Sequence, residues 1–457
     1  MTLLFFMLAA GWLRLETPHF EVLTDTNDRT AREVLDRLER IRQAFGQETT
    51  PPLPVRVYVF RSEREFQPFR PSGVTAGFYQ SGPERDIIAT HSGGDLSHIV
   101  FHEYVHLAMH HSTAKLPMWF EEGMAEFYST LEIFGAKLRV GRPVTSHIRT
   151  LTEAPWLTGA EMWATNKASP IYNERDKVGI FYAESWALVH MLNTWPEYRR
   201  NLPAFAALLA DGAEAESAFE RVFGCKLDRA LVDLRTIVEN RRFLFQDLAW
   251  EPAAAPVATK RAMLKEEAEL LRGELYLALG RTDEASAIYT ALSKGKQNNA
   301  AVETGLGAAA MSLGQYDKAR QHLERAISLG SKDSSTHFEY AMLLRDTGAP
   351  RAQISEFLNK TIAVNAKHVE AHFILATMLS TEGRHDEAIV HLKQAVAVLP
   401  RQSSFWYALG VAYLESGQRD LARAAAKRAA GCAATPQEED MAAGLVRMAE
   451  MRGKEGR

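Results

Sequence analysis

Residues 102–106 read His102-Glu103-Tyr104-Val105-His106. Sixteen residues beyond the second histidine comes Glu122, within Trp119-Phe120-Glu121-Glu122-Gly123-Met124-Ala125-Glu126. On a helix, residues four apart share a face, so His102 and His106 can reach one metal ion together. Glu103 stands about a hundred degrees further round, where a carboxylate can take a proton from metal-activated water. The implied chemistry is hydrolysis by water, most commonly of a peptide bond. Histidines at this spacing also occur on solvated helices, and His98, His102, His106 and His110 recur every four residues here. The pentapeptide alone therefore does not decide the matter; the segment after it does.

A single turn signal, Lys115-Leu116-Pro117, separates the histidine helix from a second apolar-periodic stretch, Met118 to Leu131. Helices joined by a short connection pack as neighbours, which brings Glu122 towards the two histidines as a third ligand. Glu126 lies one turn later, placed to hydrogen-bond a ligating imidazole and fix its orientation. The competing reading makes Glu121, Glu122 and Glu126 the solvated face of a helix.

These two segments resemble the gluzincin zinc metallopeptidases, in particular their peptidase MA-like, aminopeptidase-related branch. There His-Glu-x-x-His is followed by a Trp-x-Asn-Glu-Gly-x-Ala segment, and Glu121 stands here where Asn is usual. The resemblance implies Zn²⁺ held by His102, His106 and Glu122, with Glu103 as general base. The stretch from Tyr182 to Leu192 is similar to a further helix of that family, which implies that Tyr182 steadies the oxyanion, with Tyr172 and Tyr79 as alternatives. Two features depart from the aminopeptidases themselves. The spacing from His106 to Glu122 is shorter, and the glutamate-bearing segment that captures a substrate's amino terminus has no counterpart. Ala76-Gly77-Phe78-Tyr79-Gln80 comes nearest and carries no glutamate. An endopeptidase is the expectation.

Around this core the sequence predicts an α+β zincin-like domain over residues 12–245. A strand is expected within Trp12–Thr24, then a helix from Arg29 to Phe45 capped by Asn27-Asp28. Strands are expected at 54–60, 76–80 and 86–90, with a short helix around 62–69 after the first of them. Such a sheet would roof the cleft and offer an edge to an extended substrate. Helices follow near 176–195, 201–211, 215–223 and 227–245. Residues 246–262, with two prolines among small residues, read as a linker.

Beyond it the chain repeats. Glycines fall at 280, 314, 348, 383 and 417, in steps of 34, 34, 35 and 34, with Gly273, Gly307, Ala341, Ala376 and Gly410 seven residues before each. Ala285, Ala319, Ala388 and Ala422 follow five residues after, the third repeat being broken by Pro350 and one inserted residue. This is the tetratricopeptide pattern, and Trp406-x-x-Leu409-Gly410-x-x-Tyr413 fits its consensus. Five repeats over 263–435, closed by a capping helix and tail over 436–457, predict an all-α solenoid. Such an array holds a protein or peptide partner in its groove. Lys393, Lys427, Arg419, Arg423 and Arg428 make its last repeats basic and read as a solvated face. A net charge of −4 argues against a nucleic-acid partner.

Cys225 and Cys432 fall in different domains, so neither a disulfide framework nor a cysteine-based zinc site is expected. Residues 1–11, Met-Thr-Leu-Leu-Phe-Phe-Met-Leu-Ala-Ala-Gly, are too short to cross a bilayer. They read as a short signal peptide cleaved before Trp12, which implies export to a periplasm or beyond. The absence of Lys or Arg before the run leaves a cytoplasmic location as the alternative.

Overall fold

The computed structural model describes residues 11–46, 54–71, 75–82, 85–111, 116–173, 175–295, 298–433 and 435–451. The segment read as a signal peptide lies outside them apart from Gly11. The chain begins with an antiparallel hairpin, β1 (Leu13–Glu16) and β2 (Phe20–Thr24), where the sequence pattern indicated one strand. Pro18 has no N–H for a ladder, and the Thr17 hydroxyl accepts from the amides of His19 and Phe20, which turns the chain. Then come α1 (Asp28–Phe45), β3 (Val55–Phe60), α2 (Glu63–Phe66, followed by a 3₁₀ turn), β4 (Gly77–Gln80) and β5 (Ile87–His91). The Asn27 side chain caps α1 by accepting from the Thr30 amide.

The two helices of the candidate site are α3 (Leu96–His110) and α4 (Met118–Ser129). After them stand β6 (Glu132–Phe134), β7 (Lys137–Val140), α5 (Thr145–Glu153), α6 (Gly159–Ala164), α7 (Pro170–Asn173) and α8 (Arg175–Thr194). Short helices α9 (Pro196–Arg199), α10 (Leu202–Ala210), α11 (Ala215–Phe223) and α12 (Leu227–Glu239) complete this half. The last ends at Glu239 rather than 245, because Arg241 takes a left-handed φ of 49° that no helix continues through.

Residues 246–262 differ from the expected linker. They hold two strands, β8 (Gln246–Ala249) and β9 (Thr259–Ala262). β8 pairs with β7 in a three-stranded sheet, and β9 pairs with β1 at the edge of the main sheet. Ladder hydrogen bonds come from the backbone, so the exposed Thr-Lys-Arg-Ala of β9 has no apolar alternation for pattern reading to detect. The main sheet runs β4-β5-β3-β2-β1-β9, with β2, β3 and β5 mutually parallel and β4 at the opposite edge.

The central strands β2, β3 and β5 are buried on both faces. Val55, Val57 and Val59 point into a core shared with α1, α3, α4 and α8. Tyr58 and Phe60 point the other way, into a second core with Phe66, Phe69 and the first helix of the repeat array, through Leu271 and Leu275. This strict alternation along β3 follows from its period of two.

The array consists of five helix pairs: α13 (Lys265–Ala278) with α14 (Thr282–Ser293), α15 (Ala300–Ser312) with α16 (Tyr316–Ser328), and α17 (Ser334–Asp346) with α18 (Arg351–Val364). The remaining pairs are α19 (Val369–Thr381) with α20 (His385–Val398) and α21 (Ser403–Glu415) with α22 (Arg419–Cys432), and α23 (Pro436–Met451) caps the stack. The glycine between the helices of each pair has a φ between 67° and 78°, which a residue without Cβ adopts at no steric cost. The inserted residue of the third repeat is taken up before α18, where Pro350 is the N-cap. Small residues recur on each first helix because the partner lies close. A Cβ on Gly307, for example, would come within 2.6 Å of Leu323. The array also touches the amino-terminal domain at its far end, where Arg428, expected on a solvated face, donates to the Ala210 carbonyl. No helix among the described residues is long and apolar enough to cross a membrane.

Candidate metal centre

α3 carries both histidines, and its Glu103 and α4's Glu122 and Glu126 are all buried. Close packing of α4 on α8 sets the position of Glu122. The next residue, Gly123, lies so near α8 that a Cβ there would be 2.2 Å from the Ser185 carbonyl oxygen. Only glycine allows the two helices to meet at this point.

His102, His106 and Glu122 each offer a donor atom, and these atoms lie within 4.8 Å of one another. His102 Nε2 and His106 Nε2 are 3.1 Å apart, and Glu122 Oε2 is 3.7 Å and 3.4 Å from them. Tetrahedral ligands about 2.1 Å from a zinc ion would be about 3.4 Å from one another. Glu122 Oε2 is buried and makes no close hydrogen bond among the described residues, its nearest donor being His106 Nε2 at 3.4 Å, a gap that a cation between them would fill. The residues present therefore fit a zinc ion.

The second layer is also in place. Glu126 Oε1 lies 3.4 Å from His102 Nδ1, which leaves His102 Nε2 as the atom facing Glu122. Glu126 Oε2 takes a hydrogen bond from His147 Nε2 at 3.0 Å and has His98 Nε2 at 3.5 Å. Burial would raise this carboxyl, but the His147 hydrogen bond and the charges of His102, His147 and His98 bring it down to about 2. Burial lowers His102 to about 4 against the pull of Glu126 and Glu122. It would lower His106 as well, yet Glu122, Glu103 and Glu121 outweigh it and push that imidazole up to about 9. Glu103 is raised to about 7, chiefly by burial, although it accepts from the Tyr79 amide.

Tyr182 lines the same cleft of ≈ 400 Å³. Its hydroxyl donates to Tyr172 Oη at 3.2 Å, and Tyr172 in turn donates to Glu122 Oε1 at 3.2 Å. Tyr172 is thus in direct contact with Glu122. Tyr79 turns its hydroxyl to Asp86 Oδ1 at 2.8 Å, leaving its backbone facing the cleft. Three polar residues of this neighbourhood give no signal in the sequence: His147, which holds Glu126, and Lys167 and Arg401, which line the cleft.

Comparison with known proteins addresses the repeats. Residues 276–344 and 379–443 match the tetratricopeptide repeat family. No curated protein matches the chain. Among solved structures, MamA is 22% identical, covering 38% of this chain and 96% of its own, with a TM-score of 0.30. YrrB, a tetratricopeptide protein with an unusual peptide-binding site, is 19% identical over 40% of this chain and 93% of its own, with a TM-score of 0.32. A thermophilic tetratricopeptide protein of Thermus thermophilus is 22% identical over 40% of this chain and 98% of its own, at 0.30. The carboxy-terminal half is a tetratricopeptide solenoid, an architecture for protein–protein interaction.

Proposed function

We propose that the chain is a zinc-dependent metallopeptidase of the gluzincin type, an endopeptidase whose repeats recruit a substrate or partner protein. The convergence of His102, His106 and Glu122 on one point, with a buried Glu122 oxygen that makes no close hydrogen bond among the described residues, carries this reading. When bound, zinc supplies a Lewis acid and lowers the pKa of a water molecule. Glu103 borders the cleft and is placed to take a proton from the attacking water and to return it to the leaving amine. Tyr182 and Tyr172 place their hydroxyls on the same wall, and either, on turning from its present acceptor, can donate to charge developing on the substrate carbonyl. The edge strand β4 lines the cleft from Gly77 to Gln80, so an extended peptide can pair with its backbone. That strand has no acidic side chain to hold a substrate's amino terminus, which favours internal cleavage.

The matched repeats support a second reading more directly: an interaction scaffold that keeps this domain without turnover. One experiment separates the two. Metal content is measured for the wild type and His106→Ala, and cleavage of a mixed peptide library for the wild type and Glu103→Gln. About one zinc per chain, lost in His106→Ala, with cleavage lost in Glu103→Gln, supports the peptidase. Zinc bound without any cleavage leaves the scaffold, and no zinc in either protein removes the metal centre.

A further inference from the structure

Arg401 lies in the turn between α20 and α21, inside the repeat array, yet its side chain lines the cleft of the metal centre. Nη1 donates to the Met109 carbonyl at 3.1 Å, and Nη2 donates to Glu121 Oε1 at 2.9 Å. A guanidinium has five N–H donors and no acceptor. Among the described residues two are engaged, and the side chain remains 23% exposed at the cleft.

The turn that carries it is clamped. His111 Nδ1 meets the Val398 carbonyl at 3.3 Å while its Nε2 meets Asp86 Oδ2 at 2.6 Å, and Asp86 also accepts from Tyr79 of the edge strand. The array thus forms a fixed wall of the cleft, anchored to the end of α3 and to β4. Lys167 lines the same cleft, and both cations act on His110. Glu121, which stands where the resembling segment usually has Asn, is partnered by Arg401.

We infer that Arg401 is a specificity-determining residue delivered by the repeat array, and that it holds a carboxylate of the bound peptide, either an acidic side chain or a free carboxyl terminus. That the ligand is a peptide rests on the hydrolytic reading above. A guanidinium already oriented by Glu121 and Met109 gives up little freedom on binding. Its remaining N–H groups can donate to a carboxylate, a charge-assisted pairing.

The test uses the full-length, zinc-loaded Glu103→Gln protein and one fluorescent extended peptide in matched forms: Glu or Gln at a chosen position, carboxyl end free or amidated. One anionic form is expected to bind about 10-fold more tightly than its neutral counterpart, the size of a charge-assisted hydrogen bond. Which form does so distinguishes side chain from terminus. Adding Arg401→Gln, which keeps N–H donors without the charge, should abolish the preference, and Arg401→Glu should turn it towards a Lys-bearing peptide. No preference in the parent protein, a preference that survives Arg401→Gln, or no binding of any form overturns the inference. Cleavage of the same peptides by the wild type separates the failures. Cleavage without charge preference removes only the role of Arg401, whereas absence of both binding and cleavage removes the hydrolytic reading too.

Discussion

Gly123→Ala tests whether the α4–α8 contact sets the metal centre. The new Cβ would stand 2.2 Å from the Ser185 carbonyl oxygen and 2.5 Å from Val189 Cγ2. Non-bonded heavy atoms settle at about 3.5 Å, so the helices must part by roughly 1 Å. The valine can rotate away, but the carbonyl belongs to the backbone of α8 and cannot. Overpacking of this kind costs about 1–3 kcal/mol, and a backbone obstacle puts Gly123 at the upper end. Alanine returns about 1 kcal/mol through helix propensity, leaving a net loss of about 2 kcal/mol. The displacement falls on Glu122, one residue away, so zinc affinity should drop together with stability. Urea denaturation followed by circular dichroism, with zinc titration beside it, measures both. A variant as stable as the wild type or more so, as propensity alone would produce, refutes the close contact.

Two further outcomes follow from buried groups around the site. His147→Ala removes the hydrogen bond that orients Glu126, and zinc affinity should fall about 10- to 100-fold without loss of the fold; competition with a chelator reads this, and unchanged affinity denies the relay. Glu184 is fully buried, and burial raises its carboxyl to about 8 although it accepts from the Leu157 amide. The folded state then keeps a proton that the unfolded chain releases above its ordinary pKa of 4.5. Stability should fall as pH rises from about 4.5 to 8, by a few kcal/mol at about 1.4 kcal/mol per pH unit. Denaturation of the wild type and Glu184→Gln at pH 5 and pH 8 checks the sign, and an equal pH slope in both proteins would sink the assignment.

The parts of the site that were legible in the sequence are those joined by local geometry. His102 and His106 share a face because they lie four apart on one helix, and Glu122 is carried by the next helix in the chain. The repeats were legible for a similar reason, since each helix pair restates the same small residues at the same offsets. His147, 21 residues from Glu126, and Arg401, 280 residues from Glu121, are brought in by tertiary packing alone. Nothing near either residue in the sequence marks it. The strands at 246–249 and 259–262 leave no apolar period in the sequence because they sit on exposed edges and pair through backbone alone.

Those same strands show why the two halves are better regarded as one structure than as domains on a tether. β9 extends the sheet, and α13, which follows it directly, covers that sheet's second face. Tyr58 Oη donates to the Leu271 carbonyl at 2.9 Å, and Arg56, paired with Glu21 at 2.7 Å, also pairs with Glu274 of α13. An arginine buried in a sheet is tolerated only when carboxylates meet it, and one of its partners comes from the array. The Val-Arg-Val-Tyr-Val-Phe pattern of β3 is therefore written for an array already docked: its even-numbered residues would otherwise expose Tyr58 and Phe60 to water. The array's far end closes on the cleft through Arg401, so the sheet that supports α3 and the wall that faces it depend on the same solenoid.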